Sequence, residues 1–559
     1  MNVRLFVLLT LAGALAAADH GIRVEATSPW SDAHGYTPVI VTVSAPKDVE
    51  VDVKVEAIGP TARTTIRAPE GRQVRQTVLL PPTSQDWFRV QQVEWSEPSG
   101  ASGTATINGG GNTSTRAYLV DPDQKIELPK LLEALGRVTT GGSRGSHTEL
   151  LARIDLDNLP DRWQGYPDWL VLVLTPKGDA GLDEAQRAAI TVWVHAGGTL
   201  AVTTAELVRV WETRGVRVVF DALTGDAKVL GKAINGQDNA ERWVPESAPV
   251  PGTETVPVKT FVFLALAFAI VVGPLNLWWV RRRNARHLFL ITTPAVSFIT
   301  CVALIVASLV SDGVSVKRNA VQVCYLDHRS QQVVRWTGCT YFAAFSRSSL
   351  PLDGQAKVRV LDPDLYDSSG YSSGRRRSYG MGPALHLDWR QGQVLSGVVI
   401  PARLNRQLSY TEHLPERRRL VIEHDGAGYR VANGLGVQVL GLRWRDAQGR
   451  AWSCDAVANG ETAALAAVAT GAENTLSLGT VGEGSLNLTG PLPPTIGNRI
   501  GRDVTQAYDR LREQPLTFTA TLAAPMDALP GPESIDPKPP VVIAFGHLPL
   551  GGAGAGSTP

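Results

Sequence analysis

Trp169-Leu170-Val171-Leu172-Val173-Leu174 is an unbroken apolar run. A strand with one wet face alternates apolar and polar residues, whereas a strand buried on both faces is apolar throughout. Downstream, Asp183 and Gln186 have the spacing at which each side chain caps the other's backbone N–H and opens a helix. Ala185, Ala189, Val192 and Ala196 then share one helix face, Gly197-Gly198 ends the helix, and Thr199–Thr203 starts another strand. Upstream, Leu128, Leu131, Leu132 and Leu135 recur at helical spacing, with Pro129 suited to a first turn. Helix, strand, helix, strand predicts a parallel sheet wrapped by helices, so 121–248 is expected to be an α/β domain.

The pattern differs on the N-terminal side. Val49, Val51, Val53, Val55 and Ala57 alternate with Glu50, Asp52, Lys54 and Glu56, the period of a half-buried strand. Val39–Val43, Thr77–Leu80 and Val90–Trp95 are further candidates, and Ser114–Val120 is expected to close the sheet. Residues 19–120 therefore predict a β-sandwich. Trp30, Tyr36, Trp87 and Trp95 are assigned to core packing over a sugar-stacking face. Residues 1–18 have a basic start at Arg4, an apolar core and the small-residue exit Ala14–Ala18, the pattern of a secretory signal peptide.

Beyond a linker at 249–259 lie two charge-free runs. Residues 260–280 and 288–311 would span about 32 and 36 Å as helices, enough for a ~30 Å hydrocarbon core. The segment between them, 281–287, contains Arg281, Arg282, Arg283 and Arg286. Arginines clustered in a short loop indicate the cytoplasmic side. This predicts a two-helix transmembrane hairpin in a bacterial cytoplasmic (inner) membrane, multi-pass, with both large parts extracytoplasmic and the lipid bilayer as a partner.

Residues 312–545 read as mostly β, with a turn at Asp446-Ala447-Gln448-Gly449 and one helix striped by Ile500, Val504, Ala507 and Leu511. The loop Tyr366–Pro383 and the tail 546–559 are expected to be irregular. Cys324 and Cys339 are a possible disulfide. A hairpin turning at Asp327–Gln331 would, however, set Cys324 opposite residue 334, too far from Cys339 for a bridge.

The 559 residues allow three or four domains. Lys+Arg 54 against Asp+Glu 53 gives a net charge of +1, which argues against nucleic acid as a partner. Four cysteines exclude a disulfide scaffold or a Cys-rich metal module.

The stretch Leu159-Pro160-Asp161-Arg162-Trp163-Gln164-Gly165-Tyr166-Pro167-Asp168-Trp169, followed by Ala185-Gln186-Arg187-Ala188 and Trp193-Val194-His195-Ala196-Gly197-Gly198-Thr199-Leu200, resembles the class I glutamine amidotransferase-like superfold. With Val272-Gly273-Pro274-Leu275-Asn276, the chain resembles bacterial membrane proteins that join such a domain to a membrane hairpin. The resemblance implies an amidotransferase-like or flavodoxin-like sheet. The expected fold class is thus a multidomain α+β membrane protein with β-sandwich, α/β domain, hairpin and C-terminal mostly-β domain.

Members of that superfold use a Cys nucleophile with a His base. Residues 121–258 contain no Cys, and their only histidines are His147 and His195. The pattern G-x-S-x-G occurs at Gly141–Gly145 and Gly370–Gly374, in Gly/Ser-rich stretches without the strand-to-helix setting of a nucleophile elbow, and no P-loop or H-E-x-x-H occurs. Gly141–Ser146 lacks the strand-then-helix setting of an anion loop. Glu412-His413 and Glu423-His424-Asp425 are adjacent residues that a strand would point to opposite faces. Arg375–Arg377 and Arg417–Arg419 read as solvated loop charge. No catalytic, cofactor or metal residues are assigned. The expected function is a non-enzymatic binding or scaffold module of an envelope complex, with an envelope protein partner. Two alternatives stay open: an envelope hydrolase or transferase with an inter-domain site, and a subunit of a transport or secretion complex.

Overall fold

The computed structural model of the chain describes residues 21–548 apart from internal segments, chiefly 31–34, 82–89, 110–114, 136–150, 235–249, 251–257, 283–288, 362–384, 469–476 and 488–514. The N-terminal part forms β1 (Arg23–Ser28), β2 (Thr37–Ser44), β3 (Val49–Ala57), β4 (Thr61–Ala68), β5 (Gln73–Leu80), β6 (Val90–Ser96) and β7 (Ser102–Gly109). On β3 the valines are buried and the intervening Glu50 and Asp52 exposed, as the alternation requires. Val39, Val41 and Val43 of β2 share one core with Val51, Val53 and Val55 of β3. Each buried valine contributes about 1.5–3 kcal/mol of transfer free energy.

Next come β8 (Ala117–Val120), β9 (Leu151–Arg153), β10 (Val171–Leu174), β11 (Thr199–Val202) and β12 (Val219–Phe220). They form a parallel sheet ordered β12-β11-β10-β8-β9, which places the five strands in the doubly wound order 2-1-3-4-5. Helices α1 (Pro176–Ala180), α2 (Glu184–His195) and α3 (Ala205–Thr213) accompany it. Leu172 and Leu174 pack with Ile190, Trp193 and Trp211, while Val171 and Val173 face Leu131, Leu135, Leu230 and Ile234. Both faces of β10 are buried, which is why its sequence does not alternate. Asp183 and Gln186 make the reciprocal capping box at the start of α2.

Then follow α4 (Val258–Ile270), a π-helical turn at Val271–Leu275, α5 (Asn276–Arg282) and α6 (Phe289–Asp312). The remaining strands are β13 (Lys317–Asp327), β14 (Gln332–Phe342), β15 (Arg347–Leu352), β16 (Lys357–Leu361), β17 (His386–Asp388), β18 (Gln393–Ile400), β19 (Arg406–Pro415), β20 (Arg419–Asp425), β21 (Gly428–Gly434), β22 (Val439–Arg445), β23 (Ala451–Cys454), β24 (Thr462–Ala467), β25 (Ser477–Val481), β26 (Gly484–Asn487), β27 (Thr517–Leu522) and β28 (Val541–His547). Most join an 11-stranded sheet, β16-β19-β14-β13-β28-β27-β22-β23-β24-β21-β20. Three of them, β15, β18 and β17, instead extend the N-terminal strands into a 10-stranded sheet, with β17 running parallel to β4.

These observations correct the expected fold class. The described chain is mostly β, built on sheets of ten, five and eleven strands, rather than an α+β membrane protein centred on a helical hairpin. Among the described residues no helix is long and apolar enough to cross a membrane, so the transmembrane hairpin and the multi-pass inner-membrane localisation are not upheld. Counting charge-free residues did not register the break at Pro274, which lacks an amide hydrogen and sits in the π turn that divides the first run. The described part of α6 includes Thr292, Thr293, Ser297 and Thr300 as well as Pro294. Arg281 and Arg282 end α5, where the Arg282 guanidinium lies 5.2 Å from the Trp278 ring; Arg283 and Arg286 lie outside the described residues.

One local expectation changes, and one register differs by a residue. Ala117–Val120 does not close the sandwich; it pairs in parallel with Val171–Leu174 and is buried at every position. In the β13–β14 hairpin Cys324 faces Arg335 and Cys339 faces Ala320, and both thiols are free. The signal peptide at 1–18, Trp87, His147, Gly141–Ser146, Tyr366–Pro383 with Arg375–Arg377, the Ile500–Leu511 stripe and the end of the chain from residue 549 lie outside the described residues.

Candidate functional site

In open parallel sheets, ligands usually bind at the carboxyl ends of the strands where the strand order reverses. Here that point lies between β8 and β10, and the described residues close it. Thr175 caps α1, accepting from the Gly178 amide, and donates through Oγ1 to the Val120 carbonyl at 2.9 Å. Gly178 packs so tightly that a Cβ there would lie 2.5 Å from Val120 O. The adjacent buried Asp179 is filled by Arg187 at 3.0 Å and by the Trp211 indole N–H at 3.1 Å. Lys177 pairs with Asp123, whose carboxyl is lowered by that hydrogen bond.

A more open site lies along the segment that precedes β10. Residues 155–167 are irregular and largely buried, so sheet ladders do not satisfy their carbonyls. Side chains from distant elements do. Gln186 Nε2 donates to Leu156 O at 2.7 Å and to Leu159 O at 3.2 Å. Tyr166 OH donates to Pro160 O at 2.9 Å, Trp30 Nε1 to Gly165 O at 2.8 Å, Lys357 Nζ to Tyr166 O at 2.9 Å, and Trp193 Nε1 to Pro167 O at 3.2 Å. Tyr118, Trp30, Tyr166 and Trp193 pack around the segment with successive ring centroids 5.3–5.6 Å apart.

This anchoring holds Asp161–Gln164 at the wall of a cleft of about 490 Å³. Ala185, Ala188, Ala189 and Val192 of α2 form a second wall, and Gly354, Gln355, Trp389, Gly392 and Gln393 complete the lining. That volume falls in the range of small-molecule sites. Ala185, Ala188, Gln355 and Gly392 are exposed, so the cleft opens to solvent. The Arg162 guanidinium lies 4.7 Å from the Trp389 ring centroid, within cation–π range. Trp389 is itself pinned, its indole N–H donating to Leu79 O at 3.1 Å. Burial lowers Arg162 from its ordinary range, with neighbouring Asp161 opposing the shift. Among the described residues no carboxylate lies within ion-pair distance of Arg162.

A second cavity of about 510 Å³ opens on the β3–β4–β6 face beside Trp95. Most of its charges have partners: Lys54 pairs with Glu94 at 2.9 Å, Asp52 accepts from Thr65, and Arg390 pairs with Asp388. It is a solvated strand face.

The side chains singled out in the sequence fall elsewhere. Trp30, Tyr36 and Trp95 are buried core residues. His195 stacks on His413 at 6.1 Å, joining α2 to β19. Glu412 sits opposite Arg335, His424 stacks on Tyr429, and Asp425 pairs with Arg430. Among the described residues there is no group of three side chains able to hold a metal. Arg418 pairs with Glu416 and Asp527. The cleft was legible only in part. Arg162 and Trp163 belong to the quoted Leu159–Trp169 stretch, but Trp389 comes from a different sheet, and no local pattern links them.

No family model and no curated protein matches the chain. Among solved structures, similarity is found to the yeast delta-COP-I mu-homology domain, both in complex with a Dsl1 WxWxV peptide (8% identity, 42% of this chain and 95% of that one, TM-score 0.17) and alone (9%, 42% and 95%, TM-score 0.17). DesR, a β-glucosidase from Streptomyces venezuelae, matches at 10% identity over 79% of this chain and 47% of that one, with a TM-score of 0.11. Scores this low carry no argument about fold or function.

Proposed function

We propose that the chain is a non-enzymatic binding module in which the α/β sheet serves as the frame and the cleft beside Arg162 holds the bound group. The observation that carries this reading is the lining itself. Among the described residues it contains no Ser, Thr, Cys, His or Lys, so these offer no nucleophile and no imidazole base, and their single carboxylate is Asp161. Nucleophilic catalysis needs an activated nucleophile beside a base. The amidotransferase-like character of the domain is taken as a likeness of frame without the chemistry.

The test is to treat the purified chain with serine- and cysteine-reactive probes and to assay ester, amide and glutamine substrates. The expected result is no turnover and no stoichiometric labelling. Labelling of one residue within 121–248, with turnover lost in parallel, would overturn the reading.

A further inference from the structure

The donors and acceptors of the cleft are unequally committed. Gln164 Nε2 is used by Gly354 O at 2.8 Å, and Gln393 Nε2 donates to Tyr36 OH. The Asp161 carboxylate accepts from the Thr77 amide at 3.3 Å. One charged donor is left over. Arg162 has its guanidinium on the Trp389 face and no carboxylate partner among the described residues. Trp163 lines the same cleft, but its indole Nε1 is closed off from it. A partly buried charged donor without a partner in a cleft wall is a position for a ligand acceptor. An arginine fork matches two oxygens of a carboxylate, and partial burial strengthens that pairing.

The rest of the lining sets the remainder of the ligand. Ala185, Ala188, Ala189 and Val192 recur at i, i+3, i+4 and i+7 on α2, giving a smooth apolar wall within the same cleft as the Trp389 indole. We propose that the cleft binds a carboxylate carried on an apolar body, with Arg162 taking the carboxylate oxygens and the body lying against the alanine wall and Trp389. This rests on the binding-module reading and adds the chemical class of the ligand. A free aryl or alkyl acid and the carboxyl terminus of a peptide share this chemistry.

The experiment measures binding to the full chain by calorimetry. The probes are 4-phenylbutyrate, N-acetyl-L-phenylalanine and a pentapeptide ending in phenylalanine, each as acid and as primary amide. The expected result is saturable binding of at least one acid, with its amide weaker by about tenfold or more. Arg162→Gln should lose a similar factor for the acid and little for the amide. Arg162→Lys should recover part of it. Asp161→Asn, which removes the one competing carboxylate, should tighten acid binding. Ala188→Trp, which fills the exposed wall without touching Arg162, should abolish binding of acid and amide alike. A peptide acid tighter than both small acids identifies a chain terminus as the source, and the reverse order identifies a free acid.

Equal binding of acid and amide, abolished by Ala188→Trp and unchanged in Arg162→Gln, would overturn the carboxylate inference and leave the binding module standing. No Ala188→Trp-sensitive binding of any probe would overturn both. Should Arg162→Gln fail to fold, by its thermal unfolding, Arg162→Lys and Asp161→Asn decide the question by their opposite expected directions.

Discussion

Replacing Trp30 with phenylalanine tests whether the cleft wall is held in place from the N-terminal sheet. Trp30 is 1% exposed, and its indole N–H is the donor to Gly165 O. The W30F change keeps an aromatic ring among Tyr118 and Tyr166 but removes that donor, leaving a buried carbonyl unpaired at a cost of about 1–3 kcal/mol. The cost falls on a short 3-10 turn, Trp163–Gly165, whose own hydrogen bonds run from Gly165 N to Arg162 O and from Tyr166 N to Trp163 O, both at 3.1 Å. If that turn opens locally, the same free energy speeds amide exchange there by roughly five- to 150-fold. Hydrogen exchange read by mass spectrometry over 160–167 is the assay, with the peptide covering β3 as the internal control. W30A should cost more, about 3–5 kcal/mol, because it also leaves a cavity. Exchange at Gly165 and Tyr166 in W30F that matches the wild type would refute the idea that this single hydrogen bond restrains the wall.

Gly546 should not tolerate alanine, because a Cβ there would lie 2.1 Å from Leu326 O in the β13–β28 pairing; G546A is expected to lower stability by about 1–3 kcal/mol in urea unfolding. Burial lowers His328 and His413 to about 4, so between pH 6.5 and about 4 the unfolded chain binds protons that the folded chain refuses. Stability should therefore fall as pH drops through that window, by up to roughly 1.4 kcal/mol per unit for each histidine, and H328N with H413N should flatten the slope in pH-dependent unfolding. Cys324 and Cys339, buried and pushed up to about 12, should resist alkylation in the native chain and react after denaturation, with intact mass showing no bridge before treatment. Asp446 accepts from the amides of Gln448 and Arg450 and from the Trp452 indole; D446A should cost about 2–4 kcal/mol by thermal unfolding, because it orphans several donors at once.

Features governed by near neighbours in the chain were legible in the sequence. The β3 alternation, the Asp183–Gln186 capping box and the Asp446 turn each depend on residues a few positions apart, and the structure has them where the sequence put them. Partner choice was not legible. Ala117–Val120 reads as one more short apolar strand, and only the buried faces on both sides assign it to the parallel sheet. Charge-free length at 260–280 and 288–311 was read as a membrane signature, but length alone does not register the π turn at Pro274. The cleft was half legible: the Asp161–Gln164 stretch stood out, while Trp389, which orients Arg162, is set by β17 docking on β4.

That docking has a consequence in time. The Thr61 hydroxyl meets the His386 ring across 325 residues of chain, Thr61 N donates to Leu385 O, and Trp389 N donates to Arg63 O. At ~5–20 residues per second, a ribosome needs roughly 15–65 s to deliver β17 after it has made β4. For that interval one edge of β4 waits with open backbone groups, a template for pairing with other nascent chains. Synthesis therefore runs through a vulnerable interval, and chains released before residue 385 keep that edge open and should be the ones that aggregate.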